Sequence, residues 1–415
     1  AGVDGYICET CTRLANQVVN NWEHKRSTIT EHRHSPLPTP ADMKAQLDEY
    51  VIGQELAKEI LTVAVYNHYK RLYYERATVN HKNHADDVEI NKSNVLMLGP
   101  SGTGKTLLAS TLAKIVGVPF AIADATTLTQ AGYVGEDVES ILVRLLDIVN
   151  GNIKQAEWGI IYIDEIDKLA RVSESSRVER DVSGEGVQQA LLKLVEGTTV
   201  KIPFEGPTVK APYSKERKRD NGKVVIDTHN ILFITGGAFV GLEEQVTKRV
   251  TAKQTKIGFH AQVEKSTKIS AECLLEETQP KDLRGFGLIP EFIGRFPITA
   301  VLEELDEVAL VRILIEPRNA LVRQYKQLFA YENVELEFTS QALSAIAAKA
   351  LAQGTGARGL RSIQERLLRR CMFEVPSRKE VVRCIVDENA VNGTGEIQLL
   401  ENVNAKKRAN SSTIM

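Results

Sequence analysis

Residues 99–106 read Gly-Pro-Ser-Gly-Thr-Gly-Lys-Thr and directly follow the apolar run Val-Leu-Met-Leu at 95–98. This order of strand, glycine-rich turn and helix start predicts a phosphate-binding loop, because the glycines let backbone N–H groups surround phosphate oxygens. The lysine can reach the outer phosphates, and the final threonine hydroxyl can bind Mg²⁺. The alternative is a chance glycine-rich turn. The residues predicted to hold the nucleotide phosphates are Gly99, Pro100, Ser101, Gly102, Thr103, Gly104, Lys105 and Thr106.

Composition limits the classes of protein to consider. The 415 residues are 43% hydrophobic and 26% charged, which is ordinary for a globular chain of two or three domains. The net charge of −2 disfavours a general attraction to nucleic acid or anionic membrane. We find no apolar run long enough to span a bilayer and no signal-peptide core at the N-terminus. The five cysteines form no disulfide framework, so we expect a reducing compartment.

The order of apolar runs predicts an α/β fold with a doubly wound parallel sheet. Residues 160–163 and 231–234 are nearly all apolar, as in strands that helices cover on both faces, and helical patterns lie between such runs. Beyond residue 305 the pattern is mainly helical, with β-like stretches at 334–338 and 381–387. We therefore expect an N-terminal segment (1–26), a linker (27–40), a large α/β domain (41–300), a smaller, mostly helical α+β domain (301–401) and a polar tail (402–415).

An acidic pair, Asp164 and Glu165, ends the apolar run at 160–163. A carboxylate at a strand end can hold the Mg²⁺ that Thr106 also binds, and the adjacent glutamate is placed to orient and polarise an attacking water. Acidic residues also favour the first turn of a helix, so a structural role is the alternative. Thr235, at the end of the run 231–235, could contact the γ-phosphate through that water, although a threonine ending a strand is ordinary.

Two arginines, Arg295 and Arg358, lie in or after turns that contain glycine. Each could contact phosphates, and an arginine directed at a transferring phosphoryl group raises turnover by about 10³–10⁵-fold in GTPases. Residue type alone favours an exposed surface charge at both positions.

Several longer runs resemble the ClpX family of AAA+ protein unfoldases. The runs are 124–138, 159–168, 180–189, 290–295 (Pro-Glu-Phe-Ile-Gly-Arg) and 355–362 (Thr-Gly-Ala-Arg-Gly-Leu-Arg-Ser), and the likeness covers about residues 41–400. The resemblance implies an AAA+ large ATPase domain followed by an AAA+ small domain, with ATP and Mg²⁺ bound. It also implies a homohexameric ring that pulls polypeptide through a central pore.

The resemblance implies roles for residues around the nucleotide. Arg295 would reach the nucleotide of a neighbouring subunit and contribute to catalysis there. Arg358 would contact the nucleotide of its own subunit from the small domain. Val51 and Ile52 would lie against the adenine.

The resemblance also implies two pore loops that grip substrate. Tyr133 and Val134 would belong to the first loop, where an aromatic ring can contact many kinds of side chain and flanking glycines allow movement. A turn whose tyrosine packs in the core is the alternative. Arg180 and Val182 would belong to the second loop.

A peptidase-docking loop is implied at Lys-Ile-Gly-Phe-His, residues 256–260. Ile257, Gly258 and Phe259 resemble the ClpX loop that docks on the peptidase ClpP, and two apolar anchors are usual for such a contact. A buried β-hairpin is the alternative, which the polar neighbourhood at 247–272 disfavours.

The chain departs from the family pattern at two places. ClpX proteins usually begin with two Cys-x-x-Cys pairs that bind zinc, whereas only the pair Cys8 and Cys11 is present, as expected if the chain starts after the first pair. A structural zinc site needs four ligands, so Zn²⁺ is expected only if this half-site is completed. ClpX proteins have a basic loop at the pore entrance, and the run at 215–219 is also basic but differs in sequence from that loop. This run could bind the C-terminal carboxylate of a substrate, or it could be only a solvated loop, and the two alternatives are equal.

The resulting hypothesis is an ATP-hydrolysing hexameric unfoldase and translocase, not itself a peptidase. It would recognise tagged or unfolded proteins, with adaptors, and thread them into a ClpP-type peptidase. The alternatives are a remodelling chaperone without a peptidase, the related unfoldase HslU, a nucleic-acid-dependent AAA+ motor, and a non-hydrolysing scaffold. The short interval from Glu165 to Ile231 disfavours HslU, and the charge balance disfavours the nucleic-acid motor. We expect no nucleic-acid or membrane partner, and a bacterial cytoplasmic location with the mitochondrial matrix as the alternative.

Overall fold

The computed structural model describes residues 37–78, 90–129, 136–170, 184–204, 223–254 and 271–401. The chain divides into two units, Ala1–Thr39 and Pro40–Met415. Only residues 37–39 of the first unit are described, so the fold below is that of the second unit. Its first helix begins at Pro40, the last residue of the predicted linker.

The first part of the second unit alternates helices and strands, as the sequence predicts. Its elements are α1 (Pro40–Asp48), α2 (Glu55–Thr78), β1 (Val95–Leu98), α3 (Lys105–Val116), β2 (Phe120–Asp124), β3 (Leu128–Thr129), β4 (Glu136–Asp137), α4 (Ser140–Ile148), α5 (Ile153–Ala156), β5 (Ile160–Asp164), α6 (Glu185–Glu196), β6 (Thr199–Pro203), β7 (Lys223–Asp227) and β8 (Leu232–Gly237).

The rest of the described chain is mainly helical. Its elements are α7 (Leu242–Gln254), α8 (Ala271–Glu276), α9 (Pro280–Phe286), α10 (Pro290–Gly294), β9 (Ile298–Val301), α11 (Glu307–Ile315), α12 (Leu321–Tyr331), β10 (Glu335–Phe338), α13 (Ser340–Ala352), α14 (Gly356–Glu374), β11 (Val381–Val386), α15 (Glu388–Asn392) and β12 (Gln398–Glu401). Short 3₁₀ turns lie at Ala125–Thr127, Ile166–Leu169 and Val375–Ser377.

A five-stranded sheet with the order β2-β5-β8-β1-β9 forms the centre of the fold. Every pairing in this sheet is parallel, which confirms the predicted α/β class. All residues of β1 and β8 are buried, because helices cover both faces of the sheet. The carboxyl ends of parallel strands meet at one edge, so the loop after β1 and the acidic end of β5 lie together there.

The buried apolar residues form two clusters. The first includes Leu142, Ile163, Leu191 and Phe233 and joins the central sheet to its helices. The second lies in the residues after 304, where α11–α15 pack around the three-stranded sheet β10-β11-β12. This smaller helical part was predicted, and β10 and β11 correspond to its two predicted β-like stretches. The domain boundaries at 40/41 and 300/301 stay predictions. Within the described ranges, no helix combines the length and the apolar character needed to cross a membrane.

Candidate nucleotide-binding site

Five of the eight predicted phosphate-binding residues line a cleft of about 690 Å³ at the carboxyl edge of the central sheet, and Gly99, Pro100 and Thr103 are outside its described lining. The loop after β1, the ends of β5 and β8, and the first turn of α14 each contribute one wall. Its described lining consists of Ser101, Gly102, Gly104, Lys105, Thr106, Leu107, Asp164, Glu165, Asp167, Lys168, Gly237, Ala238, Val240, Ala357 and Arg358.

The loop at 99–106 delivers its backbone donors to this cleft through the start of α3. Gly104 caps the helix at a φ of 101°, a backbone conformation that glycine adopts without strain. The first N–H groups of a helix have no partners within the helix, and the helix dipole adds positive potential at that end. The cleft therefore has the donor arrangement of an anion site built for phosphate.

Lys105 places its ammonium inside the loop. The side chain is buried, and Nζ donates to the carbonyl oxygens of Gly99, at 2.6 Å, and Pro100, at 2.8 Å. Burial lowers the pKa of Lys105, and the nearby carboxylates of Asp164 and Asp167 oppose that shift. A phosphate in the cleft would give this buried cation a counter-charge in place of two carbonyl dipoles.

Asp164 and Thr106 lie in direct contact, as the sequence predicts for two groups that share one metal ion. The Thr106 hydroxyl donates to Asp164 Oδ2 at 3.1 Å. Oδ1 of the same carboxylate accepts the N–H of Glu165 at 3.0 Å and the hydroxyl of Tyr162 at 3.2 Å. A carboxylate beside a hydroxyl is the hard oxygen donor set that suits Mg²⁺, so the residues present fit this ion.

Glu165 lines the cleft beside Asp164, at the turn from β5 into the 3₁₀ segment. Its φ of 56° lies in the left-handed region, which is uncommon for any residue except glycine. Strained backbone of this kind concentrates at functional sites, because the surrounding structure must hold it in place. The observed turn therefore agrees with a glutamate held for a chemical role.

The first turn of α14 closes the cleft against the phosphate-binding loop. The Ala357 N–H donates to the carbonyl of Gly102 at 3.3 Å. A Cβ on Gly102 would lie 2.7 Å from the carbonyl oxygen of Thr355, so only glycine allows this approach. Arg358 follows directly: Nη1 lies 3.4 Å from Ser101 Oγ and Nη2 lies 4.0 Å from Asp164 Oδ2. The structure thus brings Arg358 to the cleft of its own chain.

Arg295 lies elsewhere, directly after α10, and is not part of the described lining of the cleft. Its guanidinium is half exposed and forms an ion pair with Glu196 at the end of α6, at 2.6 Å from Nη2 to Oε1. Its backbone carbonyl accepts from the Asn94 amide at 3.0 Å, and Asn94 Oδ1 in turn accepts the N–H of Phe233. The fold therefore fixes the backbone at Arg295 and leaves its charged end at the surface.

Val51 and Ile52 are buried in the turn between α1 and α2, and they too are outside the described lining of the cleft. The adjacent Gln54 amide bonds the backbone N–H and carbonyl of Glu303, both at 2.9 Å. This pairing ties the turn to the chain that leaves β9. Contact of Val51 and Ile52 with adenine stays a prediction.

Several predicted residues lie outside the described ranges, and their roles stay predictions. They are the pore-loop residues Tyr133, Val134, Arg180 and Val182, the docking residues Ile257, Gly258 and Phe259, the zinc half-site Cys8 and Cys11, and the basic run at 215–219. Within the ranges that the structure does describe, no group of three or more His, Cys, Asp or Glu residues is arranged to hold a metal ion.

The γ-phosphate contact suggested for Thr235 stays a prediction, and Thr235 is not part of the described lining of the cleft. Thr235 is fully buried and pairs with Ile163, so the two side chains share one face of the sheet. Asp164, the next residue on β5, points to the opposite face. In the described part of the chain the Thr235 hydroxyl has no hydrogen-bond partner.

Two site residues escaped the sequence analysis. Asp167 is buried and accepts the N–H of Ala238 at 3.2 Å, which ties the end of β5 to the end of β8. Tyr162 lies two residues before Asp164 and therefore on the same face of β5. A phenol in an otherwise aliphatic strand was the available signal for Tyr162.

A larger cavity of about 810 Å³ lies beside α2, away from these groups. Its walls are largely apolar and include the half-exposed side chains of Leu56 and Val63. The cavity contains His68, whose burial lowers its pKa to about 3, and Glu59 is the one carboxylate among the described residues that line it. Its described lining includes neither the glycine-rich loop at 99–106 nor the acidic pair Asp164 and Glu165, so its volume is no reason to place nucleotide chemistry there.

Comparison with known proteins places the chain in a family. The description "AAA domain (Cdc48 subfamily)" matches residues 90–299, and "C-terminal, D2-small domain, of ClpB protein" matches residues 305–386. The chain is 59% identical over 403 residues to "ATP-dependent Clp protease ATP-binding subunit ClpX 3" of Methylococcus capsulatus, with 96% of this chain and 90% of the relative covered.

Two further relatives carry the name "ATP-dependent Clp protease ATP-binding subunit ClpX". The protein of Azotobacter vinelandii is 56% identical, with 93% of this chain and 85% of the relative covered. The protein of Treponema denticola is 50% identical, with 95% and 91% covered. Proteins that are identical at this level over nearly their whole length share one fold and the main features of their sequences. The chain belongs to the ClpX family of AAA+ proteins.

Proposed function

We propose that the chain hydrolyses ATP in the cleft at the end of the central sheet and uses the energy to unfold and translocate proteins. The observation that carries the hydrolytic part is the contact between Thr106 and Asp164, with Glu165 beside them and Lys105 inside the loop. In one cleft, Thr106 and Asp164 supply ligands for a metal ion, Glu165 supplies a carboxylate that can orient the attacking water, and Lys105 supplies positive charge opposite the phosphates.

Each group has a distinct part in the reaction. Lys105 and the first N–H groups of α3 bind the phosphates and neutralise their charge. Thr106 and Asp164 would hold Mg²⁺, which stabilises negative charge on the phosphate oxygens. Glu165 accepts a hydrogen bond from the water and orients it towards the γ-phosphorus. Arg358, which already reaches Ser101 and Asp164, contacts the outer phosphates from the small domain.

The mechanical part of the proposal rests on the family. The relatives are named ATP-binding subunits of the Clp protease, so we infer a separate ClpP-type peptidase as partner, with tagged or unfolded proteins and adaptors on the substrate side. The homohexameric ring is inferred from the family. Arg295 is compatible with a site shared between subunits, because its guanidinium is half exposed, pairs with Glu196 and lies outside the described lining of its own cleft. The relatives named above are bacterial, which favours the bacterial cytoplasm over the mitochondrial matrix.

Degradation of a folded, tagged protein tests the proposal. With ATP, Mg²⁺ and a ClpP-type peptidase, we expect loss of the substrate, and no loss when ATP or the peptidase is omitted. The double variant Ile257→Ser/Phe259→Ser serves as the control for docking, because it removes both apolar anchors and changes none of the described residues that line the nucleotide cleft. It should unfold the substrate without degradation. Unfolding without any degradation by the unaltered chain would instead indicate a chaperone that works without a peptidase.

Tyr133→Ala tests the first pore loop. We expect ATP turnover to stay within about twofold of that of the unaltered chain. Unfolding of the tagged protein should slow by about two- to tenfold, because loss of an aromatic contact worth about 0.5–1.5 kcal/mol weakens the hold on the substrate. The measurement follows loss of substrate fluorescence and phosphate release in the same reaction. Tyr74→Ala removes an exposed tyrosine of α2 as a control. Equal unfolding rates for Tyr133→Ala and the unaltered chain would contradict the pore-loop role.

A further inference from the structure

Tyr162 is the one polar side chain among the four residues that precede Asp164 in β5. It is fully buried, and its hydroxyl donates to Asp164 Oδ1 at 3.2 Å. Burial of a hydroxyl costs free energy unless it makes a hydrogen bond, so a phenylalanine would pack here at lower cost if packing were the only requirement. The hydroxyl therefore indicates a requirement at the Asp164 carboxylate.

Gly236 provides the space that this hydroxyl occupies. It lies in the neighbouring strand β8, and a Cβ at this position would lie 2.2 Å from the Tyr162 hydroxyl oxygen and 3.0 Å from Cζ. The backbone of Gly236 is not in the positive-φ region, so its conformation does not require glycine. Any larger residue would displace the phenol, which accounts for a glycine within a fully buried strand.

The two oxygens of Asp164 thus have separate partners. Oδ1 accepts from the Tyr162 hydroxyl and the Glu165 N–H, while Oδ2 accepts from Thr106. The last torsion of an aspartate is broad and roughly two-fold, so the carboxylate needs fixed donors to keep one orientation. With Oδ1 occupied by two donors, Oδ2 is directed towards the hydroxyl of Thr106.

We propose that Tyr162 is a positioning residue for Asp164, and that Gly236 exists to admit its hydroxyl. Together they orient the carboxylate so that Oδ2 and the Thr106 hydroxyl are presented to Mg²⁺ as a preformed pair. This inference rests on the proposed function, in which Asp164 and Thr106 hold that ion. Preorganisation of this kind raises metal affinity without adding a ligand.

Tyr162→Phe tests the proposal, because it keeps the ring and removes only the hydroxyl. The measured quantity is the dissociation constant of a fluorescent, non-hydrolysable ATP analogue with Mg²⁺ and with EDTA. We define the Mg²⁺ effect as the ratio of the dissociation constant in EDTA to that in Mg²⁺. We expect this ratio to fall about three- to tenfold, as for loss of one hydrogen bond, while the dissociation constant in EDTA stays unchanged. The Mg²⁺ concentration for half-maximal ATP turnover should rise by a similar factor, and saturating Mg²⁺ should restore most of kcat.

Tyr69→Phe is the matched control. Tyr69 is also a buried tyrosine, and its hydroxyl donates to the Trp158 carbonyl at 3.0 Å, outside the described lining of the cleft. This variant should lower the thermal unfolding temperature and leave the effect of Mg²⁺ unchanged. If Tyr162→Phe keeps the same Mg²⁺ effect as Tyr69→Phe, the positioning role is wrong. If Mg²⁺ fails to strengthen binding to the unaltered chain, the proposed metal site itself is wrong.

Gly236→Ala provides an independent measurement through the same contact. The added methyl group must push the Tyr162 hydroxyl away from Asp164, so Gly236→Ala should reduce the Mg²⁺ effect as Tyr162→Phe does. In the double variant no hydroxyl remains to be displaced, so the two losses should not add. Additive losses would show that the two residues act separately and would overturn the inference.

Discussion

Glu165→Gln is expected to bind ATP as tightly as the unaltered chain and to hydrolyse it about 10²–10⁴-fold more slowly. The amide has nearly the shape of the carboxylate, so the contacts of the loop with the phosphates are retained. It lacks the negative charge that polarises a water and accepts its proton. The loss should therefore fall on kcat, with little change in the KM for ATP.

The structure makes this substitution a clean one. The N–H of Glu165, not its side chain, contacts Asp164, so the metal-binding pair keeps its backbone donor in the variant. The left-handed backbone at φ 56° is tolerated about as well by glutamine as by glutamate, since neither side chain is branched at Cβ. Folding and nucleotide binding should thus be preserved while chemistry is lost.

Phosphate release and binding of a fluorescent ATP analogue, measured on one preparation, check the prediction. Glu157→Gln is the control: its carboxylate accepts the N–H of Asp227 at 3.0 Å outside the described lining of the cleft, and an amide oxygen can still accept it. This control should hydrolyse ATP normally. Turnover by Glu165→Gln within a few-fold of normal would remove Glu165 from the chemistry, and weakened ATP binding would assign it to the phosphates instead.

Features carried by neighbouring residues could be read from the sequence. The apolar runs at 95–98, 160–163 and 231–234 became β1, β5 and β8, because strands buried on both faces need apolar side chains throughout. The adjacency of Thr106 and Asp164 followed from the rule that parallel strands end at the same edge. Arg358 at the cleft was expected only through the family resemblance, since nothing local distinguishes it from a surface charge.

Contacts that depend on register between distant strands could not be read in this way. The face on which Thr235 lies is decided by its pairing with Ile163, and a shift of one residue would reverse it. The fit of Tyr162 into the space at Gly236 depends on the same pairing of β5 with β8. Likewise, the carbonyl of Thr355 lies close to Gly102, although the two residues are far apart in the sequence. No local sequence pattern predicts that these two segments pack together.

Arg295→Ala is expected to lower ATP turnover by about 10³–10⁵-fold if the guanidinium acts on a transferring phosphoryl group, by analogy with arginines in GTPases. It should do so with little loss of nucleotide binding, because Lys105, Thr106 and the other described residues that line the cleft are unchanged in the variant. The fold should be kept as well. The Arg295–Glu196 pair is exposed and such pairs contribute about 0–1 kcal/mol, while the hydrogen bond from Asn94 is made to the backbone and survives the substitution.

Mixing two inactive variants distinguishes a role in the neighbouring subunit from a role in the same one. An Arg295→Ala subunit keeps Glu165, and a Glu165→Gln subunit keeps Arg295. If the arginine acts on the neighbour's nucleotide, mixed assemblies contain some complete clefts. In these, Glu165 comes from an Arg295→Ala subunit and Arg295 comes from a neighbouring Glu165→Gln subunit. ATP turnover of the mixture should then exceed that of either variant alone and be greatest near equal proportions. If the arginine acts within its own chain, every cleft in the mixture lacks one group and turnover stays at the level of the single variants.

Glu196→Gln separates the charge on Arg295 from its ion pair. This variant weakens the contact at 2.6 Å and leaves the guanidinium in place, so a role for the arginine itself predicts nearly normal turnover. If Glu196→Gln lost as much ATP turnover as Arg295→Ala, the ion pair between α6 and the turn after α10 would be what turnover requires. The assembly state of each variant, measured by light scattering, must match that of the unaltered chain, because a ring that fails to form would also lose turnover. With assembly intact, recovery of activity in the mixture is the result that only an arginine shared between subunits predicts.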